Sequence, residues 1–96
     1  HAAGVAELRR LGYEPVYDDT VFARTRTGYT AGDPAVRAQA FREAWRLDDR
    51  NHRHAYNLGL ILLRQGRKAD ARPFFEKALV LEPRFSPARE RLAEIR

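Results

Sequence analysis

Two residues that stop helices, Gly66 and Pro83, most strongly constrain how this chain of 96 residues folds. Before each stop, over 52–65 and over 68–81, apolar residues recur every three or four positions, which is the spacing of one helical face. Gly66 adopts a left-handed backbone at little cost, and Pro83 cannot continue a helix. The pattern predicts two antiparallel helices joined by a short turn.

Small residues mark the place where these two helices approach each other. Gly59 in the first helix and Ala78 in the second leave room for close contact. The space between the helices is filled by Leu58, Leu62, Phe75 and Leu79. A well-packed helix pair follows from this arrangement.

The segment 52–85 resembles one tetratricopeptide repeat, a helix–turn–helix unit of 34 residues. The matching signature positions are Tyr56, Asn57, Leu58, Gly59, Gln65, Gly66, Ala71, Phe75, Lys77, Ala78, Leu79, Leu81 and Pro83. Ala55 and Leu62 depart from the family, which usually has Trp and Tyr there, but both stay apolar. The resemblance implies a helical repeat that stacks on neighbours, since one repeat cannot bury both of its faces.

The flanking segments are interpreted as partial repeats. The motif Phe41, Ala44 and Leu47 repeats 34 residues later, so 33–51 is expected to be the second helix of a degenerate preceding repeat. Its start is marked by an Asp33 N-cap followed by Pro34. Residues 86–96 are expected to form a capping helix or the start of a further repeat.

Pro73 leaves two readings of the helix over 68–81 open. In the helix interior a proline removes one backbone hydrogen bond and usually causes a kink. Alternatively, Asp70 is the cap and Pro73 falls in the first turn, where proline is tolerated. The sequence alone favours neither.

The first third of the chain, residues 1–32, has a different composition. A short helix over 2–12 is predicted to stop at Gly12. The stretch 13–27, rich in Tyr, Val, Phe and Thr, predicts two short strands around an acidic turn at 18–19. The predicted fold class is therefore mainly α: antiparallel helix pairs like those of tetratricopeptide repeats, with a short N-terminal helix and a β-hairpin.

Residues 11–19 and 21–24 are weakly similar to soluble tails of bacterial membrane-embedded glycosyltransferases. That resemblance implies a non-catalytic accessory domain of a larger membrane protein, either cytoplasmic or periplasmic. The chain does not begin with methionine, and we interpret it as a piece of a longer protein. The fragment itself has no apolar run long enough for membrane insertion.

No catalytic or metal-binding pattern stands out, so we expect neither an enzyme nor a cofactor. The chain lacks cysteine, which excludes disulfides and thiolate chemistry. His52 and His54, two positions apart, face different sides of a helix and cannot share a metal as an i, i+4 pair would. The acidic pairs at 18–19 and 48–49 are interpreted as solvated turns.

The net charge of +5 does not point to nucleic acid. Of the eighteen basic residues only two are lysine, and the arginines are spread along the chain without a cluster. A phosphate-binding footprint requires such clustering. We therefore expect no nucleic-acid partner.

The resemblance implies a protein-interaction module whose first helix lines a concave groove for a peptide or a partner helix. By family register, the groove positions are Arg53, Tyr56, Asn57, Leu60 and Arg64. Asn57 would bind a peptide main chain, and the two arginines would bind carboxylates. The expected partner is a protein that is acidic rather than basic, and the sequence leaves self-association open.

Overall fold

The computed structural model describes residues 6, 8–14 and 33–95. The range 33–95 contains four helices: α1 (Pro34–Leu47), α2 (His52–Arg64), α3 (Lys68–Leu81) and α4 (Ser86–Ile95). Helix α2 packs mainly on α3, while α1 flanks α2 and α4 flanks α3. The four predicted helices are confirmed; α1 ends at Leu47 within the predicted segment 33–51, α2 ends one residue before its predicted end, and residue 96 lies outside the described residues.

Side-chain caps explain where α1 and α2 begin. The Asp33 carboxylate accepts a hydrogen bond of 2.9 Å from the backbone N–H of Ala35, and Pro34 occupies the first turn. The Asn51 side chain accepts an equivalent bond of 2.9 Å from the N–H of Arg53. These bonds satisfy backbone donors that have no partner within the helix. The predicted Asp33–Pro34 start is thereby confirmed.

The turn between α2 and α3 follows from the backbone of Gly66, which has φ +80°. Gly66 donates its N–H to the carbonyl of Leu63, and Arg67 donates to that of Leu62, both at 3.0 Å. This pair of bonds is the Schellman arrangement that closes helix ends. The predicted glycine stop is confirmed.

The close approach of α2 and α3 occurs at Gly59. A Cβ atom placed on Gly59 would lie 2.9 Å from Cε1 of Phe75, closer than real carbon contacts allow. Phe75 and the two alanines of this contact face, Ala71 and Ala78, are fully buried. Helices α2 and α3 therefore approach each other closely at small residues, as the sequence predicted.

Pro73 lies inside α3, not at its start. The helix begins at Lys68, so Pro73 falls in its second turn, and the helix continues to Leu81. Asp70 is not the cap; its carboxylate instead accepts a hydrogen bond of 2.8 Å from Nε of Arg67. Of the two readings left open by the sequence, the interior position is correct.

A helical turn at residues 8–10 ends at Gly12, which has φ +93°. The N–H of Gly12 donates to the carbonyl of Arg9, and that of Tyr13 donates to Leu8, both at 2.9 Å. The predicted stop at Gly12 is thus confirmed by the same closing arrangement as at Gly66. Leu8 is fully buried and belongs to the core.

The predicted β-hairpin is wrong: within the described residues the fold is helical and contains no strand. Tyr13 and Glu14, which were to begin the first strand, are irregular chain after the Gly12 turn. The physical reason is that the main chain of Glu14 pairs with the side chain of Asn57 rather than with a second strand. The rest of that prediction, 15–27, and the connector to residue 32 lie outside the described residues.

Candidate functional site

Five residues of α2 were predicted to line a ligand groove: Arg53, Tyr56, Asn57, Leu60 and Arg64. In the structure, all except Tyr56 approach the chain's own residues 8–14, which we call the N-terminal segment. We call the surface formed by Arg53, Asn57, Leu60 and Arg64 the α2 face. The predicted groove residues therefore come together, with a segment of the same chain against them.

Asn57 binds the main chain of Glu14 through both ends of its carboxamide. The N–H of Glu14 donates to Oδ1 at 2.7 Å, and Nδ2 donates to the carbonyl of Glu14 at 2.8 Å. A residue of a β-ladder exchanges the same two bonds with its partner. Asn57 is fully buried, so these bonds are shielded from competition by water.

Tyr13 is the aromatic anchor of the N-terminal segment. It is buried, and its ring centroid lies 5.0 Å from that of Phe41. The guanidinium carbon of Arg64 lies 4.8 Å from the Tyr13 centroid, and that of Arg37 lies 5.7 Å away. Both distances fall in the range of cation–π attraction. An aromatic ring is therefore favoured here by apolar burial and by positive charge together.

The carboxylate of Glu14 lies beside a guanidinium group of the α2 face. Its Oε1 atom is 4.0 Å from Nε of Arg53, and both side chains are partly exposed. A pair of this length and exposure contributes little free energy of folding. Its charges are nevertheless complementary, so the α2 face favours an acid at this position.

Gly12 lets the N-terminal segment approach the α2 face closely. A Cβ atom at Gly12 would lie 3.2 Å from Nη2 of Arg64 and 3.7 Å from Cδ2 of Leu60. The positive φ of Gly12 independently disfavours any other residue. Leu60 is almost completely buried in this contact region.

Tyr56 lies in the core instead of on the α2 face. Its ring centroid is 5.7 Å from that of Phe75 and 5.3 Å from that of Phe85. Its hydroxyl oxygen accepts a hydrogen bond of 3.3 Å from Nε of Arg91. These contacts assign Tyr56 to the packing of α2 against α3 and α4, and we leave it out of the proposed ligand contacts.

Sequence reasoning missed Tyr13, Glu14 and Arg37 as members of this site. The first two lie in the stretch 13–27 that was predicted to form strands, and Arg37 was counted only among the arginines spread along the chain. A usable signal existed for Arg37, because it lies four positions before the buried Phe41 on the same helical face. No local signal existed for Glu14, whose partner is 43 positions away.

The two histidines that the structure describes, His52 and His54, lie in different surroundings. His54 is fully buried within α2, while the ring of His52 lies edge-on to Phe85 at 4.6 Å between centroids. Burial and the neighbouring charge of Arg53 lower the pKa of His52, and Glu82 opposes that shift. Among residues 6, 8–14 and 33–95, no group of three histidines or acids could hold a metal ion.

The carboxylate pair at 48–49 is part of a turn, as predicted. Oδ1 of Asp48 accepts a hydrogen bond of 3.2 Å from the N–H of Arg50. The bond explains this acid as a turn residue between α1 and α2. The pair at 18–19 lies outside the described residues.

A separate concavity of about 510 Å³ opens where α1, α2 and α3 meet. Its apolar wall includes Trp45 and Phe74, whose rings meet edge to face at 6.2 Å, and also Leu58 and Leu62. Arg42, Arg67 and Asp70 also line it. This concavity shares no residue with the α2 face.

Comparison with known families identifies one repeat. The family model described as tetratricopeptide repeat matches residues 55–85, so this segment is a tetratricopeptide repeat. Repeats of this family are typical of protein–protein interaction modules and are in general non-catalytic. No curated protein matches the chain. None of the described helices has both the length and the apolar character required to cross a bilayer.

Proposed function

We propose that this chain is a protein-interaction module whose α2 face binds an extended segment of a partner protein. The observation that carries the proposal is the pair of hydrogen bonds, 2.7 and 2.8 Å long, between the Asn57 carboxamide and the main chain of Glu14. A peptide bound in this way is recognised through groups that all residues except proline possess. Such a face suits an adaptor or scaffold and requires no catalytic group.

The charge of the α2 face supports a preference for acidic partners. Arg53 and Arg64 are exposed at its two ends, and α2 contains no acidic residue that would neutralise their charge. Guanidinium groups bind carboxylates with two parallel hydrogen bonds. Complementary charge of this kind directs partner choice and the association rate more than it raises affinity.

A peptide-display selection on the full chain tests this proposal. We expect enriched peptides to lose about tenfold in affinity when Asn57→Ala is added to the Tyr13→Ala variant, in which residues 8–14 compete less, because two hydrogen bonds of modest net value disappear. Gln39→Ala, a change at an exposed position of α1, serves as the matched control and should leave Kd unchanged. Kd values come from fluorescence anisotropy.

The proposal fails if the selected peptides bind Tyr13→Ala and the Tyr13→Ala, Asn57→Ala double variant equally, or if selection enriches no peptide. Circular dichroism of both variants shows whether the helices persist. Equal helicity with unequal affinity would assign the loss to the α2 face itself.

A further inference from the structure

Resting on the proposed function, we propose that the N-terminal segment is an internal ligand of the α2 face. We propose further that the external partner is a segment in which an acidic residue directly follows an aromatic one, and that this partner displaces the internal ligand. The chain's own Gly12-Tyr13-Glu14 supplies the chemistry that such a partner must reproduce.

The α2 face contains buried groups that contact residues 8–14. Asn57 and Leu60, two of its four residues, are at most 1% exposed, and both lie against this segment. Without a ligand, the buried carboxamide would lose both of its partners. The face thus requires an occupant, which the chain itself supplies.

The surroundings of Tyr13 favour an aromatic side chain at this position. The environment of Tyr13 combines the Phe41 ring at 5.0 Å with the guanidinium groups of Arg37 and Arg64 at 5.7 and 4.8 Å. A π face attracts cations as well as apolar groups, whereas an aliphatic side chain has no such attraction. The site therefore selects an aromatic side chain over an aliphatic one.

The surroundings of Glu14 favour an acidic side chain that can be exchanged. Glu14 places its main chain on Asn57 and its carboxylate 4.0 Å from Arg53. The pair is partly exposed and long, so it is easily exchanged for a better one. A partner able to form a closer, bidentate pair with Arg53 gains over the internal ligand at this point.

Competition sets the affinity that an external peptide shows. When the binding-competent state is only partly populated, the apparent Kd rises in inverse proportion to that population. Weakening the internal ligand should therefore tighten external binding, although no residue of the α2 face has changed. A segment that does not compete with the external peptide for the α2 face would not produce that result.

The test uses the full chain and a fluorescein-labelled, C-terminally amidated copy of residues 8–14. We expect Glu14→Lys to bind this peptide about two- to fivefold more tightly than wild type, since it replaces a weak ion pair by a repulsive one. Tyr13→Ala, which removes the anchor, should increase affinity by at least about tenfold. Glu76→Lys makes the same charge change at an exposed site of α3 and should have no effect.

A second peptide has Ala and Lys in place of Tyr and Glu. Comparing the two peptides distinguishes failure of the partner chemistry from failure of the proposed function. If both peptides bind Glu14→Lys equally and Asn57→Ala abolishes both, the partner chemistry is refuted while the proposed function stands. If the copied segment binds wild type as tightly as it binds Glu14→Lys and Tyr13→Ala, displacement is refuted. If neither peptide shows binding that depends on Asn57, the proposed function fails as well.

Because Tyr13 is buried, a thermal melt of each variant is needed to check that it still folds. Glu14→Lys leaves the buried anchor intact, so it decides the outcome if Tyr13→Ala loses its helices.

Discussion

Two glycines of this chain are required for different physical reasons. Gly59 lies in the middle of α2 at ordinary helical geometry, and its lack of a side chain makes room for the Phe75 ring. Gly66 has open space around it, and its positive φ is what disfavours other residues. The first glycine is needed for packing, and the second for backbone conformation.

Gly59→Leu should lower the free energy of unfolding by about 1–3 kcal/mol or more, because the new side chain overpacks a closed contact. Urea denaturation measures the change. Ala93→Leu adds the same side chain bulk at an exposed position of α4 and should shift stability by less than about 0.5 kcal/mol. Equal stability of Gly59→Leu and wild type would contradict the packing of α2 on α3.

At the scale of elements, helices were predicted well because their signals are local. The Asp33 cap, the Gly66 turn and the small-residue contact at Gly59 each depend on a few neighbouring residues. The hairpin was mispredicted because strand propensity in 13–27 carries no information about Asn57, which lies 43 positions from Glu14 and takes its main-chain bonds. For the same reason no local signal indicated that residues 8–14 lie against α2, and the ligand groove on α2 stays a prediction.

The turn between α2 and α3 gives a prediction of its own. Gly66→Ala should destabilise the fold by about 1–2 kcal/mol, because an alanine at φ +80° is strained even though its Cβ meets no atom. Gly66→Asn should cost less, since asparagine tolerates this conformation better. The order Gly, Asn, Ala in urea midpoint is the expected result, and an alanine variant as stable as wild type would contradict it.

At the scale of the whole molecule, the described helices form one stack, and the protonation of His52 at the α1–α2 junction affects its stability. His52 is the first residue of α2, where the helix dipole also disfavours a positive imidazole. Its pKa is lowered in the folded chain below the ordinary value of 6.5. The unfolded chain therefore binds the proton more readily than the folded one does.

It follows that His52 destabilises the fold as the pH decreases. Above pH 6.5 His52 is neutral and the fold keeps its full stability. As the pH falls from 6.5 towards the lowered pKa, the unfolded chain takes up the proton first, so the free energy of unfolding decreases. We expect the Tm of wild type, relative to His52→Gln, to decrease between pH 7.5 and pH 5.5. Because both proteins share every other titrating group, a difference in Tm that is independent of pH would contradict the lowered pKa.

The contact between Asn57 and the main chain of Glu14 also bears on how this protein diversifies over evolution. These two hydrogen bonds use only the main chain of residue 14, so they place no demand on its side chain apart from excluding proline, which has no N–H to donate. Other mutations at Tyr13 and Glu14 therefore change how firmly residues 8–14 are held, while the hydrogen bonds to Asn57 persist. Under the proposed function, partner preference can therefore change by single substitutions while the fold persists.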